Sequence, residues 1–169
     1  KLRGDLRIEL KRIQSELGAT MLYVTHDQIE AMTMADRIGI MSGGRLMQLG
    51  TPREIYTAPA SIHVAARLGQ PAINLLPVAL VPGKGIAAGT HTVGARTEHL
   101  KIATSASGNG KIERVEHLGD QNHLHLTVNG HRITVLAAPD SILMPGEAVM
   151  VECVAPLCFD ASGNRIASA

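Results

Sequence analysis

Aromatic rings are scarce in this chain: among 169 residues there are two tyrosines, Tyr23 and Tyr56, one phenylalanine, Phe159, and no tryptophan. Proteins that hold single-stranded nucleic acid stack bases on exposed rings, so the scarcity counts against that class. Net charge is lacking too. Sixteen basic residues against fifteen acidic ones leave a formal charge of +1, too little to steer the chain towards nucleic acid or an anionic surface. Cysteine is limited to Cys153 and Cys158, on either side of Val-Ala-Pro-Leu in an apolar stretch. Two reduced, mostly buried thiols are expected there, and no disulfide framework. No uninterrupted apolar run reaches the roughly 18 residues of a membrane-spanning helix. The first residues, with Lys1 and Arg3 on a helical pattern, do not read as a charged-apolar-small leader. The chain is expected neither to cross a bilayer nor to be exported.

What remains is an ordinary globular composition, 45% hydrophobic, long enough for one domain or two small ones. Leu2, Leu6, Leu10, Ile13 and Leu17 recur at helical spacing and predict a helix that ends at Gly18. The apolar run Thr20-Met21-Leu22-Tyr23-Val24 predicts a buried parallel strand opening into a helix over about Gln28 to Ala35. Thr25-His26-Asp27-Gln28 lies where ligands bind in open α/β sheets, beyond the carboxyl end of a strand. Asp27 with Glu30 reads as an N-cap and its capping-box partner. His26 is then a phosphate-facing candidate, or a structural or solvated corner residue. Arg37 to Met41 and Arg45 to Leu49 predict strands joined at Ser42-Gly43-Gly44. Thr51-Pro52-Arg53-Glu54 combines an N-cap, a proline at the first helical position and a box-closing glutamate, for a short helix to about Thr57. A further helix starts at Ser61 and ends near Gly69.

From Ile73 onward the helical spacing gives way to short alternating runs punctuated by Gly, Pro, Asn and Asp, the pattern of a small antiparallel β unit. The boundary is placed at residue 72. Asn129-Gly130 predicts a type I′ hairpin that sets Val128 opposite His131, Leu126 opposite Ile133 and Leu124 opposite Val135. Leu124, Leu126, Val128, Ile133 and Val135 then share the core face, with His123, His125, Thr127, Arg132 and Thr134 on the other. Two imidazoles at i and i+2 point the same way, but no Cys or carboxylate joins them at a recognisable spacing. A solvated polar face is preferred to a metal site there, and no metal ligands are assigned. His117 and His131 add no ligand pattern.

The segment from Tyr23 to Ile38 resembles the switch-histidine region of ATP-binding-cassette (ABC) ATPases, closest in wording to the carbohydrate-importer, maltose-importer-like subfamily. The likeness continues through Gly43-Gly44-Arg45, Gln48-Leu49-Gly50-Thr51-Pro52, Ile55-Tyr56, Pro59-Ala60 and Gly69-Gln70-Pro71-Ala72-Ile73-Asn74-Leu75-Leu76-Pro77. Val93-Gly94-Ala95-Arg96-Thr97-Glu98-His99-Leu100 is similar to the Gly-x-Arg-Pro-Glu-His segment of the TOBE domain, with Thr97 in place of the proline. Val115-Glu116-His117-Leu118-Gly119 and Phe159-Asp160-x-x-Gly163-x-Arg165 resemble its later signatures. Between Pro77 and Val93 the chain is shorter than that family's usual length, which implies a reduced strand or loop.

A P-loop, Gly-x-x-x-x-Gly-Lys-Ser/Thr, does not occur; Lys84 follows Gly83, but Gly85 and Ile86 come next. The resemblance implies that the P-loop, the signature motif and the Asp-Glu pair lie upstream of Lys1, and that Lys1-Leu2-Arg3 is the tail of the D-loop. The implied fold is the α/β C-terminal part of an ABC ATPase domain over residues 1–72, followed by a small all-β, OB-like TOBE domain over 73–169. The implied function is that of part of the ATP-hydrolysing subunit of an importer, for sugars, polyols or glycerol phosphates. His26 would contact the γ-phosphate of ATP, with ATP and Mg as the complete subunit's cofactors and none held tightly by this chain alone, which is expected to be inactive. A second copy and membrane-spanning importer subunits are the implied partners, at the cytoplasmic face of the membrane, with a regulatory protein as a further candidate and nucleic acid as none. The alternative is a regulatory or dimerisation module whose β unit binds a small ligand such as an oxyanion, or a regulatory protein. Arg96, Lys101, Lys111, Arg114 and Arg132 are dispersed along it and form no evident anion cradle.

Overall fold

The computed structural model describes residues 2–81 and 85–167, without the side chains of Leu2 and Arg3. Leu2 of the predicted stripe, Lys1 of the implied D-loop tail and the Lys84 weighed against a P-loop fall outside that description in whole or in side chain. The chain divides into two compact units, residues 1–60 and 61–169.

In the first unit helix α1 spans Leu2–Leu17. Gly18, at φ 60°, stops it: its N–H reaches Ser15 O, and Ala19 N–H reaches back to Gln14 O. That is a Schellman cap, which needs the left-handed conformation glycine adopts freely. Helix α2 covers Gln28–Met34. Strands β1 (Ile38–Ser42) and β2 (Arg45–Gly50) form an antiparallel hairpin with a bulge between Ile40 and Met41. Its turn residues Gly43 and Gly44 both take positive φ. Helix α3 (Pro52–Thr57) carries the complete capping box predicted at Thr51 and Glu54, with the proline at its start.

The strand predicted over Thr20 to Val24 does not form. Those residues have no ladder partner among the described residues, and Leu22 and Val24 are 94% and 88% exposed. A buried parallel strand requires a neighbour on each edge and a layer on each face; among the described residues of this unit the strands are β1 and β2, which pair with each other. The α1 stripe is likewise uncovered, with Leu6, Ile13 and Leu17 exposed.

The second unit opens with the short helix α4, Ile62–Ala65, capped by Ser61. It ends well before Gly69, where the sequence places the stop. Arg96 explains why: its guanidinium donates to the carbonyls of Ala65 and Leu68, taking the acceptors that further helical turns would use. Nine strands follow among the described residues. β3 (Asn74–Pro77), β4 (Thr92–Ala95), β10 (Leu157–Phe159) and β11 (Arg165–Ile166) make one antiparallel sheet in the order β11-β10-β4-β3. β5 (Leu100–Thr104), β6 (Gly110–His117), β7 (Asn122–Val128), β8 (His131–Ala137) and β9 (Ala148–Cys153) make the other, in the order β5-β9-β6-β7-β8. Among the described residues between Pro77 and Thr92 there is a 3-10 turn, Val78–Leu80, and no strand.

The hairpin register is the predicted one, with Val128 opposite His131, Leu126 opposite Ile133 and Leu124 opposite Val135. Asn129 and Gly130 sit at φ 48° and 84° in the turn. The five apolar residues of its inner face are all buried and join Leu76, Val93 and Ala95 of the other sheet in one core. A smaller cluster unites Ala65, Ile73, Leu157 and Phe159. Gly94 lies beside it, where an added Cβ would stand 2.9 Å from both Ile73 Cδ1 and Phe159 Cε2. The glycine of the TOBE-like segment is thus a packing requirement.

Candidate functional site

His26 occupies an exposed bend between the apolar run and α2. The corner is held by its neighbours. Asp27 Oδ1 accepts the N–H groups of Ile29 (2.8 Å) and Glu30 (3.3 Å), so the predicted N-cap is present. The other arm of the predicted box differs. Glu30 does not close on the Asp27 backbone; its Oε2 accepts from Thr25 Oγ1 at 2.6 Å and from the Tyr23 hydroxyl at 3.2 Å. The Asp27 N–H goes to Thr25 Oγ1 at 2.9 Å. Threonine satisfies the donor that glutamate usually takes, and the chain folds back across the histidine in a closed ring of bonds. Nothing among the described residues hydrogen-bonds the imidazole, so its ring nitrogens are free to meet a ligand. A freely presented donor at a fixed corner is what stabilising spread phosphoryl charge requires. Lys11 and Asp36 pair at 2.9 Å nearby in the same unit, on the surface, where such a pair contributes little to stability.

In the second unit the predicted polar face exists, and its residues are already engaged. His125 Nε2 lies 3.2 Å from Glu116 Oε2 and 3.3 Å from Arg114 Nη2, while Nδ1 is 3.4 Å from Thr134 Oγ1. His123 turns to Gln121 at 3.3 Å, so the two imidazoles serve different partners. The His125 hydrogen bond, reinforced by the charge of Arg114, holds the Glu116 carboxyl below the usual carboxylate range against partial desolvation. No cluster of three or more ligating side chains with metal geometry occurs among the described residues. Cys153 and Cys158 are free and buried. Burial pushes the Cys153 thiol up, away from the reactive thiolate.

The basic residues reinforce this picture. Arg96 is 2% exposed and committed to the carbonyls at the end of α4, so it belongs to the framework and offers nothing to an anion. Sequence reasoning missed three asparagines with similar duties. Asn74 joins β3 to β8 by donating to Thr134 O (2.8 Å) and accepting from Thr134 N (2.7 Å). Asn109 does the same to Val151, at 3.1 and 2.8 Å. Asn122 donates to the carbonyls of Ala138 and Pro139 and meets His117 Nδ1. Asparagine is disfavoured in strands; Asn74 and Asn122 inside apolar or alternating runs were the signal that a side chain stands in for a backbone.

Comparison with known proteins finds relatives for both halves of the chain. Residues 93–159 match the TOBE domain family. The chain is 40% identical, across 98% of its length, to an sn-glycerol-3-phosphate import ATP-binding protein of Rhizobium meliloti, of which it covers 52%. The corresponding protein of Ruegeria pomeroyi is 39% identical, over 89% of this chain and 46% of its own length. That of Brucella abortus is 42% identical, over 76% and 40%. The chain therefore spans about half the length of the curated relatives it matches.

Proposed function

We propose, from the premise that this chain is a relative of ABC importer ATP-binding subunits and carries their TOBE domain, that it supplies the switch-histidine corner and the C-terminal β module of such a subunit. The carrying observation is the joint match: TOBE in the β half, and about 40% identity to import ATP-binding proteins through both halves. Glycerol phosphates, sugars or polyols are the transported class, the first of these being what the relatives' names state. His26 hydrogen-bonds the γ-phosphate of Mg-ATP and the region of the attacking water, while Asp27 caps α2 and keeps the imidazole on its corner. The chain has no P-loop, so the ground-state grip on ATP comes from other residues of the complete subunit. The uncovered run Thr20 to Val24 supports the same reading: it is the strand of a larger parallel sheet whose other strands belong to that domain. By sequence residues 1–72 belong to the ATP-binding domain and 73–169 to the TOBE module, while in the fold residues 61–72, with α4, pack as part of the β unit. The subunit works as a pair beneath the membrane-spanning importer subunits, peripheral on the cytoplasmic side.

His26→Ala in the complete subunit tests this. Turnover should fall sharply while ATP affinity stays near its original value, because the lost contact is made chiefly to the reacting phosphate. Near-normal kcat would reduce His26 to a structural corner. The isolated chain should show no ATPase activity, and turnover by a clean preparation would overturn the reading.

A further inference from the structure

Two Asn-Gly steps occur in this chain, Asn109-Gly110 and Asn129-Gly130, and the fold treats them oppositely. Asn-Gly is chemically the most exposed asparagine context, since the glycine nitrogen has no neighbouring Cβ to hinder its approach to the asparagine side chain. At the first step the side-chain amide is clamped at both ends. Its nitrogen donates to Val151 O at 3.1 Å and its oxygen accepts from Val151 N at 2.8 Å. Gly110 behind it is buried, with Val128, Val149 and Val151 around the place a Cβ would take. At the second step no hydrogen bond among the described residues restrains the amide. Asn129 and Gly130 are exposed at the tip of the β7–β8 hairpin, a Cβ on Gly130 would meet nothing within 4 Å, and the side chain of Arg132 beyond them is 87% exposed. Hairpin tips open at little free-energy cost, whereas a clamp within the core sheet opens only with the sheet.

We propose that Asn129 is a site of spontaneous deamidation in the folded protein, with water as co-reactant, and that Asn109 is protected from it. The Gly130 backbone nitrogen attacks Asn129 Cγ. The new N–Cγ bond forms as the Cγ–Nδ2 bond breaks, and the amide group leaves as ammonia with the proton that the Gly130 nitrogen gives up. A five-membered succinimide results. Water then adds at one of its two carbonyls and opens the ring, giving aspartate or, when the backbone carbonyl is attacked, isoaspartate linked through the side chain. No electron transfer is involved. The isoaspartyl product adds a carbon to the main chain within the two-residue turn and a negative charge beside His131 and Arg132. The turn sets the β7–β8 register, so the product alters the fold's own pairing signal.

The test is incubation of the full chain in mildly alkaline buffer, folded and in denaturant, with peptide mapping by mass spectrometry. In the folded chain conversion at Asn129 should be roughly tenfold or more faster than at Asn109, the ratio expected when one site opens locally and the other with its sheet. In denaturant the two rates should converge. Asn129→Asp should remove the main mass gain from the folded sample. Equal conversion of the two sites in the folded chain, an unmodified Asn129, or a persistent gain in Asn129→Asp would each overturn the assignment.

Discussion

Replacing Asn74 by alanine should be the most damaging polar substitution in the β unit. Asn74 is buried at 8% exposure. Its amide donates to Ala95 O (3.2 Å) and Thr134 O (2.8 Å), and its oxygen accepts from Thr134 N (2.7 Å). On the β8 edge away from β7, this side chain stands where a further strand would pair. Three bonds at about 1 kcal/mol each give roughly 3 kcal/mol, and the larger penalty for stranding the Thr134 groups applies wherever water does not reach them. For a chain of this size that corresponds to about 6–12 °C in Tm. Urea unfolding followed by far-UV circular dichroism measures it directly. A second variant separates bonding from volume: Asn74→Asp keeps the shape but sets a carboxylate against two carbonyl oxygens. Burial raises the folded-state pKa of such an acid, so the folded state binds the proton more tightly. The variant should gain stability, relative to the parent chain, as pH falls through that raised value. An alanine variant within about 0.5 kcal/mol of the parent, or an aspartate variant with the parent's pH dependence, would refute the bridging role.

Gly94→Ala should cost about 1–3 kcal/mol by overpacking, because the new methyl would press on Ile73 and Phe159 at 2.9 Å; urea midpoints of the two proteins check this. Thr51→Ala should remove about 1 kcal/mol with the α3 N-cap, read as loss of helical signal on heating. The backbone hydrogen bond from Thr51 holds the Glu54 carboxyl below its ordinary range. A depressed folded pKa contributes stability that is present above the unfolded value and lost as pH falls through the folded one. Acid titration of α3 should therefore show a loss beginning in the carboxylate range, and Glu54→Gln should flatten it.

Elements whose cause lies within a few residues were legible in the sequence. The Schellman glycine, the Thr51 box and the Asn129-Gly130 turn need only their immediate neighbours, and the hairpin register follows from the turn and the alternation together. The Asp27 cap was legible for the same reason. The partner of Glu30 was not, because the Thr25 hydroxyl takes the Glu30 carboxylate while its own oxygen accepts the Asp27 N–H that a capping box would give to the glutamate. Long-range side-chain links left no spacing to read: Asn74 meets Thr134 sixty residues away, and Arg96 ends α4 from about thirty residues downstream. The length of α4 could not be derived from its own residues, since what stops it belongs to another element.

The unformed strand at Thr20 to Val24 carries the same lesson to the candidate site. A hairpin such as β7–β8 supplies each strand with its partner and buries one face on the core of its own unit, so its alternation is sufficient. A parallel strand is buried on both faces and paired on both edges, and a continuous apolar run records only that environment. The run keeps its sequence signature here while Leu22 and Val24 stand exposed. The histidine corner behaves differently, because the bonds that shape it, among Tyr23, Thr25, Asp27 and Glu30, are all local. Two separable contributions to the site follow. The turn that presents His26 is encoded in eight consecutive residues, whereas the depth at which the imidazole meets a phosphate is set by whichever strands take up the run before it.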